Sequence, residues 1–99
     1  MTFEEKLEKF KSERVGFIVN SEKIAKELLR VFTKEHMEAR NDNVIETMSE
    51  TWEGQDNDYY VTYNYHEGEH KLSYGEIILS GRTLELLDVT LEELKAYNG

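Results

Sequence analysis

Apolar positions along the chain switch between two rhythms. Near the start, Phe3, Leu7 and Phe10 recur at helical spacing with Glu and Lys between them, so residues 3–12 read as a short amphipathic helix. Thr2-Phe3-Glu4-Glu5 has the letters of a capping box, in which the Thr2 hydroxyl accepts from the Glu5 amide and the Glu5 carboxylate reaches back. At Val15-Gly16-Phe17-Ile18-Val19 the period drops to two. Val15, Phe17 and Val19 share a face, and the β-branched and aromatic content marks a buried strand. Asn20 and Ser21 are N-cap types for a second helix over residues 22–38. Its stripe runs through Ile24, Leu28 and Val31/Phe32 to Glu35/His36, and Asn41-Asp42-Asn43 breaks it. His36, late in that helix, suits the C-terminal dipole as an imidazolium.

Residues 44–53 carry a conflict. As a helix they gather Val44, Ile45, Met48 and Trp52 on one arc, with Glu46, Glu50 and Glu53 facing away. As a strand, Val44, Met48 and Trp52 share a face with Glu46 and Glu50, a poor alternation. Composition and the turn-rich Gly54-Gln55-Asp56-Asn57-Asp58 that follows favour the strand. Tyr59-Tyr60-Val61-Thr62-Tyr63-Asn64-Tyr65 alternates cleanly, with Tyr59, Val61, Tyr63 and Tyr65 on one side and Tyr60, Thr62 and Asn64 on the other. Another strand spans Lys71–Leu79, with Leu72 and Tyr74 in one phase and Ile77 and Leu79 in the other, and Gly75 between them suggests a bulge. Thr83-Leu84-Glu85-Leu86 reads as a short strand. The spacing of Leu84, Leu87, Leu91 and Leu94 also fits one helix over 84–97. Thr90-Leu91-Glu92-Glu93 is a second capping box and opens a last helix. The expected fold is therefore one small α+β domain over residues 1–99, a mainly antiparallel sheet with helices packed on it in the order α-β-α-β-β-β-β-α.

Charge changes the picture more than composition does. Residues 1–40 hold nine of the twelve Lys/Arg against eight acids, whereas residues 41–99 hold three against thirteen. Between Arg40 and Lys71 there is no basic residue, while Asp42, Glu46, Glu50, Glu53, Asp56, Asp58, Glu67 and Glu69 all fall there. Direct binding of DNA or RNA is disfavoured, because neutralising phosphates takes Lys and Arg, and an anionic membrane surface is disfavoured for the same reason. The chain has no cysteine, which removes thiol chemistry and thiolate metal sites. No apolar run approaches the ~18 residues of a membrane span, and the first residues lack the features of a signal peptide. A soluble, cytoplasmic protein is the expectation.

Candidate chemistry is sparse. His66-Glu67-Gly68-Glu69-His70 spells H-E-x-x-H, which serves zinc proteases because a helix sets the two histidines one turn apart on the metal. Here it follows a strand, has glycine at its centre and reads as a hairpin turn, so neither a catalytic nor a metal site is assigned. Glu53-Gly54-Gln55-Asp56-Asn57-Asp58 lacks the spacing of a calcium loop. Ser21, Ser49, Ser73 and Ser80 have no His/Asp arrangement that would mark a nucleophile. No enzymatic activity and no cofactor are expected.

An acidic and aromatic surface remains. Tyr and Trp anchor interfaces because they cover large areas at low entropic cost, and carboxylates around them attract a basic partner at long range. The expected contact residues are Glu46, Glu50, Glu53, Asp56, Asp58, Tyr60, Glu67 and Glu69, with Tyr60 exposed because it opposes Tyr59, Val61 and Tyr63 in phase. The reading is a non-enzymatic acidic binding protein that docks on a basic surface, foremost that of a nucleic-acid-binding enzyme, by mimicking nucleic acid. In general style this resembles the small acidic inhibitors that phages direct against host nucleic-acid enzymes, although no motif matches a particular family. The alternatives are a small-ligand-binding or sequestering module on the aromatic sheet face, and a structural homodimer paired through a strand edge.

Overall fold

A computed structural model of the chain describes residues 1–40, 59–64, 70–76 and 84–97. The elements are α1 (Phe3–Ser12), β1 (Val15–Val19), α2 (Glu22–Lys34), β2 (Tyr59–Thr62), β3 (Ser73–Glu76), β4 (Glu85–Leu87) and α3 (Leu91–Ala96). The fold is α+β. Among the described residues, four strands form one sheet in the order β3-β2-β1-β4. β2 pairs antiparallel with both β1 and β3, while β4 runs parallel to β1. The sheet is thus mixed. The strand expected over 44–53 falls outside the described residues.

One sheet face is set by the alternation in β1. Val15, Phe17 and Val19 lie on it with Val61 of β2, and Phe3, Leu7 and Phe10 of α1, the apolar stripe of α2 and Leu94 of α3 complete a single buried cluster. At its centre the Phe10 ring stacks on Phe17 at 4.5 Å and on Phe32 at 5.3 Å. Each fully buried ring contributes roughly 1.5–3 kcal/mol of transfer free energy, so these three phenylalanines tie α1, β1 and α2 together more than any polar contact does.

Helix ends are satisfied partly from nearby in sequence and partly from afar. Both expected capping boxes form, Thr2 with Glu5 and Thr90 with Glu93, and the Ser21 hydroxyl accepts from the Ile24 amide at 3.2 Å. The C-terminal carbonyls of α1, which have no partner within the helix, accept instead from a distant amide. Asn64 Nδ2, buried just beyond β2, donates to Lys11 O at 2.6 Å and to Phe10 O at 3.2 Å. Arg30 of α2 does the same for α3, with Nη2 2.6 Å from Leu94 O and 3.3 Å from Tyr97 O.

Several expectations need correction. α2 stops at Lys34, not at residue 38. The Met37 amide donates to Phe32 O and the His36 amide to Thr33 O, and His36 has φ 57°. This is a Schellman cap, with a left-handed residue in the position where glycine is usual. His36 is exposed beyond the helix, so it is no part of the helical stripe. Gly75 is not a bulge, because β2 and β3 pair without interruption from Tyr59↔Glu76 to Thr62↔Ser73. The short strand near residue 84 does form and is followed by a separate helix from Leu91, so 84–97 is not one helix.

Candidate functional site

The acidic window joins the described chain at or beside β2 and β3. Its first segment leaves after Arg40, whose amide donates to Leu72 O at 2.9 Å while the Leu72 amide donates to Glu38 O at 2.8 Å. Ala39 and Leu72 thus form a parallel bridge at the start of β3. The chain re-enters at Tyr59, which pairs with Glu76 at the other end of β3. The second segment leaves after Asn64 and returns at His70, linking the antiparallel strands β2 and β3. Of the four anchors, Tyr59 opens β2, Asn64 lies just past its end, His70 lies just ahead of β3, and Arg40 follows the residue bridged to Leu72. Of the expected contact residues, Glu46, Glu50, Glu53, Asp56, Asp58, Glu67 and Glu69 fall within those two segments, outside the described residues. His66 to Glu69 lie there too, so the H-E-x-x-H letters sit in a link between consecutive antiparallel strands. The oxygen-rich turn of residues 53–58 is likewise outside.

Tyr60 is the exception, and the expectation for it fails. It retains 4 % of its accessible surface. Its register partners, Ile18 and Gly75, place it on the face opposite Phe17, as the alternation required. That face is nevertheless buried at Gly16, Tyr60 and Thr62. A Cβ built on Gly75 would stand 2.8 Å from Tyr60 Oη and 2.9 Å from Cζ. The ring lies directly over the glycine, and the missing side chain makes its room. Tyr60 therefore does not belong to an exposed contact surface. Among the described residues, Tyr59, Tyr63 and Tyr74 are partly exposed on the helix side, where Tyr59 and Tyr74 stack at 4.9 Å and Tyr63 lies 5.6 Å from His70.

The basic residues of the first forty are largely engaged inside the molecule. Lys6 Nζ lies 2.9 Å from Glu93 Oε1 and Lys9 Nζ 2.6 Å from Glu85 Oε1, so two α1 lysines are paired by acids of the C-terminal half. Lys11 pairs with Glu35 at 2.8 Å, Lys26 with Glu22 and Arg30 with Glu27. Lys71 pairs with Glu38. The hydrogen bond and charge of Lys71 hold the Glu38 carboxyl below the usual carboxylate value. Surface pairs such as these are individually worth roughly 0–1 kcal/mol. Their consequence is for electrostatics: positive charge on the helices is locally compensated, and Glu85 and Glu93 are spent on it. Sequence counting registered the asymmetry but not this pairing, since Lys6 and Glu93 are brought together only by the fold.

Among the described residues no group of three or more His, Asp or Glu side chains could hold a metal ion, and no helix is long and apolar enough to cross a membrane. What the arrangement offers is charge: lysines 6, 9, 11 and 26 of the helices are paired with acids, and the acid-rich stretches of the sequence connect at or beside β2 and β3. No protein-family model, no curated protein and no solved structure matches this chain.

Proposed function

We propose that the protein is a non-enzymatic acidic binding protein whose β2–β3 side docks on a basic surface of a nucleic-acid-binding protein, in competition with nucleic acid. One observation carries the reading. The window from residue 41 to 70 has eight acids and no Lys or Arg, and both of its acidic segments join the described chain at or beside β2 and β3. Concentrated negative charge of this kind raises association rates toward a basic partner and disfavours nucleic acid itself. Tyr60 is left out of the contact set because it is buried. The acids at 46, 50, 53, 56, 58, 67 and 69 remain in it.

The test is capture of partners from cell extract at low and high salt, followed by competition against DNA or RNA on the captured protein. The expected partner is basic, is released by salt and is displaced by nucleic acid. Charge reversal by Glu46→Lys, Glu50→Lys, Asp56→Lys and Asp58→Lys together is expected to weaken binding roughly tenfold or more with the circular-dichroism spectrum unchanged. Undiminished binding by that variant at low salt, a neutral partner surface, or a gel shift with nucleic acid alone at physiological salt would each refute the proposal.

A further inference from the structure

α3 is six residues long, too short for a helix to persist in water by itself, and Leu94 is its one fully buried side chain. Three polar clasps hold it on α1 and α2. Lys6 Nζ reaches both Glu93 Oε1 at 2.9 Å and Asp88 O at 2.8 Å, just ahead of the helix. Arg30 Nη2 binds the Leu94 and Tyr97 carbonyls. The Tyr97 hydroxyl donates to Glu35 Oε1, whose other oxygen accepts from Lys11. The edge of the Tyr97 ring meets the Phe3 ring at 5.1 Å. A segment so held belongs to the low-stability end of a fold.

We propose that α3 is a terminal latch, closed through Glu35 and Glu93, which acid opens as one unit while the sheet, α1 and α2 stay folded. Two of the clasps depend on a carboxylate that receives hydrogen bonds from another element. Glu35, on the chain leaving α2, is held below the usual carboxylate value of 4.5, first by the hydrogen bond from Lys11, then by that from Tyr97, with His36 adding attraction. For Glu93, burial pushes upward, but hydrogen bonds from Lys6 and from the Thr90 side chain and amide outweigh it, and the carboxyl is also lowered. Such acids lend stability above their unfolded pKa and lose it as pH falls through the folded value. The acid side of the latch therefore opens below about pH 4.5. Tyr97 sets an alkaline side. The Glu35 hydrogen bond, burial, and the charges of Glu35, Glu4 and Glu8 push it up to about 12. Its contribution is whole below the ordinary tyrosine value of 10 and lost as pH rises toward about 12.

Amide hydrogen exchange of the full chain, read by NMR and corrected for intrinsic rates, tests this. The reporters are the Leu94 and Tyr97 amides, bonded to Thr90 O and Leu94 O, against Phe17 and Val61 in the sheet. Between pH 6.5 and pH 3.5 protection at Leu94 and Tyr97 is expected to fall relative to the sheet amides, because both carboxyls take up protons as pH drops below the ordinary value. At neutral pH, Glu35→Gln and Glu93→Gln are each expected to lower protection in α3 alone. If Leu94 and Tyr97 exchange in step with Phe17 and Val61 at every pH, α3 is part of the global unit and the latch does not exist. Unchanged α3 protection in both variants would overturn it equally. Should a variant fail to fold, the pH series on the unsubstituted chain decides.

Discussion

The two faces of the sheet are buried by opposite means. On the helix side, large side chains meet large side chains: Phe17 stacks on Phe10 and on Phe3, with Phe32 beyond and Val15, Val19 and Val61 in the same cluster. On the other side, small residues make room. Gly16 is flanked by Leu86 and Thr62, and Gly75 lies under the Tyr60 ring. The first face is robust in kind, because any helix stripe of the right volume covers it. The second depends on absences, a Cβ missing at two positions, and on a hydroxyl, Thr62 Oγ1, that is buried with no hydrogen-bond partner among the described residues. Packing by large groups is announced in a sequence, whereas packing by missing groups is not.

Substitutions can break this contrast. Phe17→Ala is expected to have the largest effect, a loss of about 3–5 kcal/mol as a cavity opens among fully buried rings, measured by urea unfolding at constant m-value. Its neighbour Ile18, half-buried on the opposite face, should cost clearly less on the same change. If the two cost the same, the faces are energetically equivalent and the contrast fails.

Asn64→Ala comes next. It strips the α1 C-terminal carbonyls of their donor inside a buried site, with an expected loss of about 1–3 kcal/mol. An early loss of amide protection confined to α1 would distinguish this from general destabilisation. Gly75→Ala is expected to cost about 1–3 kcal/mol by forcing the confined Tyr60 ring to move. The decisive measurement is the double variant with Tyr60→Leu, in which much of the alanine's cost should vanish. Additive losses would mean that Gly75 serves the backbone and not the ring.

The smallest effect has the opposite sign. Thr62→Val removes the unpartnered hydroxyl while keeping the branched shape, and is expected to raise stability by about 1 kcal/mol. A loss on this change would show that the hydroxyl is satisfied in solution, and the second face would then be better built than its geometry indicates.

The candidate site divides along the same line. The acidic window was legible because charge is a sum over residue types and needs no geometry. The burial of Tyr60 was not legible, because alternation reports which face a side chain takes, not whether that face is covered. The phase change around Gly75 suggests a bulge, yet β2 and β3 pair unbroken through it and the Tyr60 ring lies over it. The pairing of Lys6 with Glu93 and of Lys9 with Glu85 was beyond any spacing rule, since those partners come from opposite ends of the chain.

By itself the sequence determined what acts within a few residues: the capping boxes at Thr2 and Thr90, the Ser21 cap, the stripes of α1 and α2, and the alternation of β1 and β2. These follow from hydrogen bonds and side-chain directions that repeat within a turn or a pleat. The tertiary structure alone decided that β4 runs parallel to β1, that Asn64 and Arg30 terminate helices from a distance, and that Tyr60 lies buried over Gly75. Each depends on groups far apart in the chain whose proximity is set by the common burial of Phe10, Phe17 and Phe32, and local propensity carries no information about such meetings.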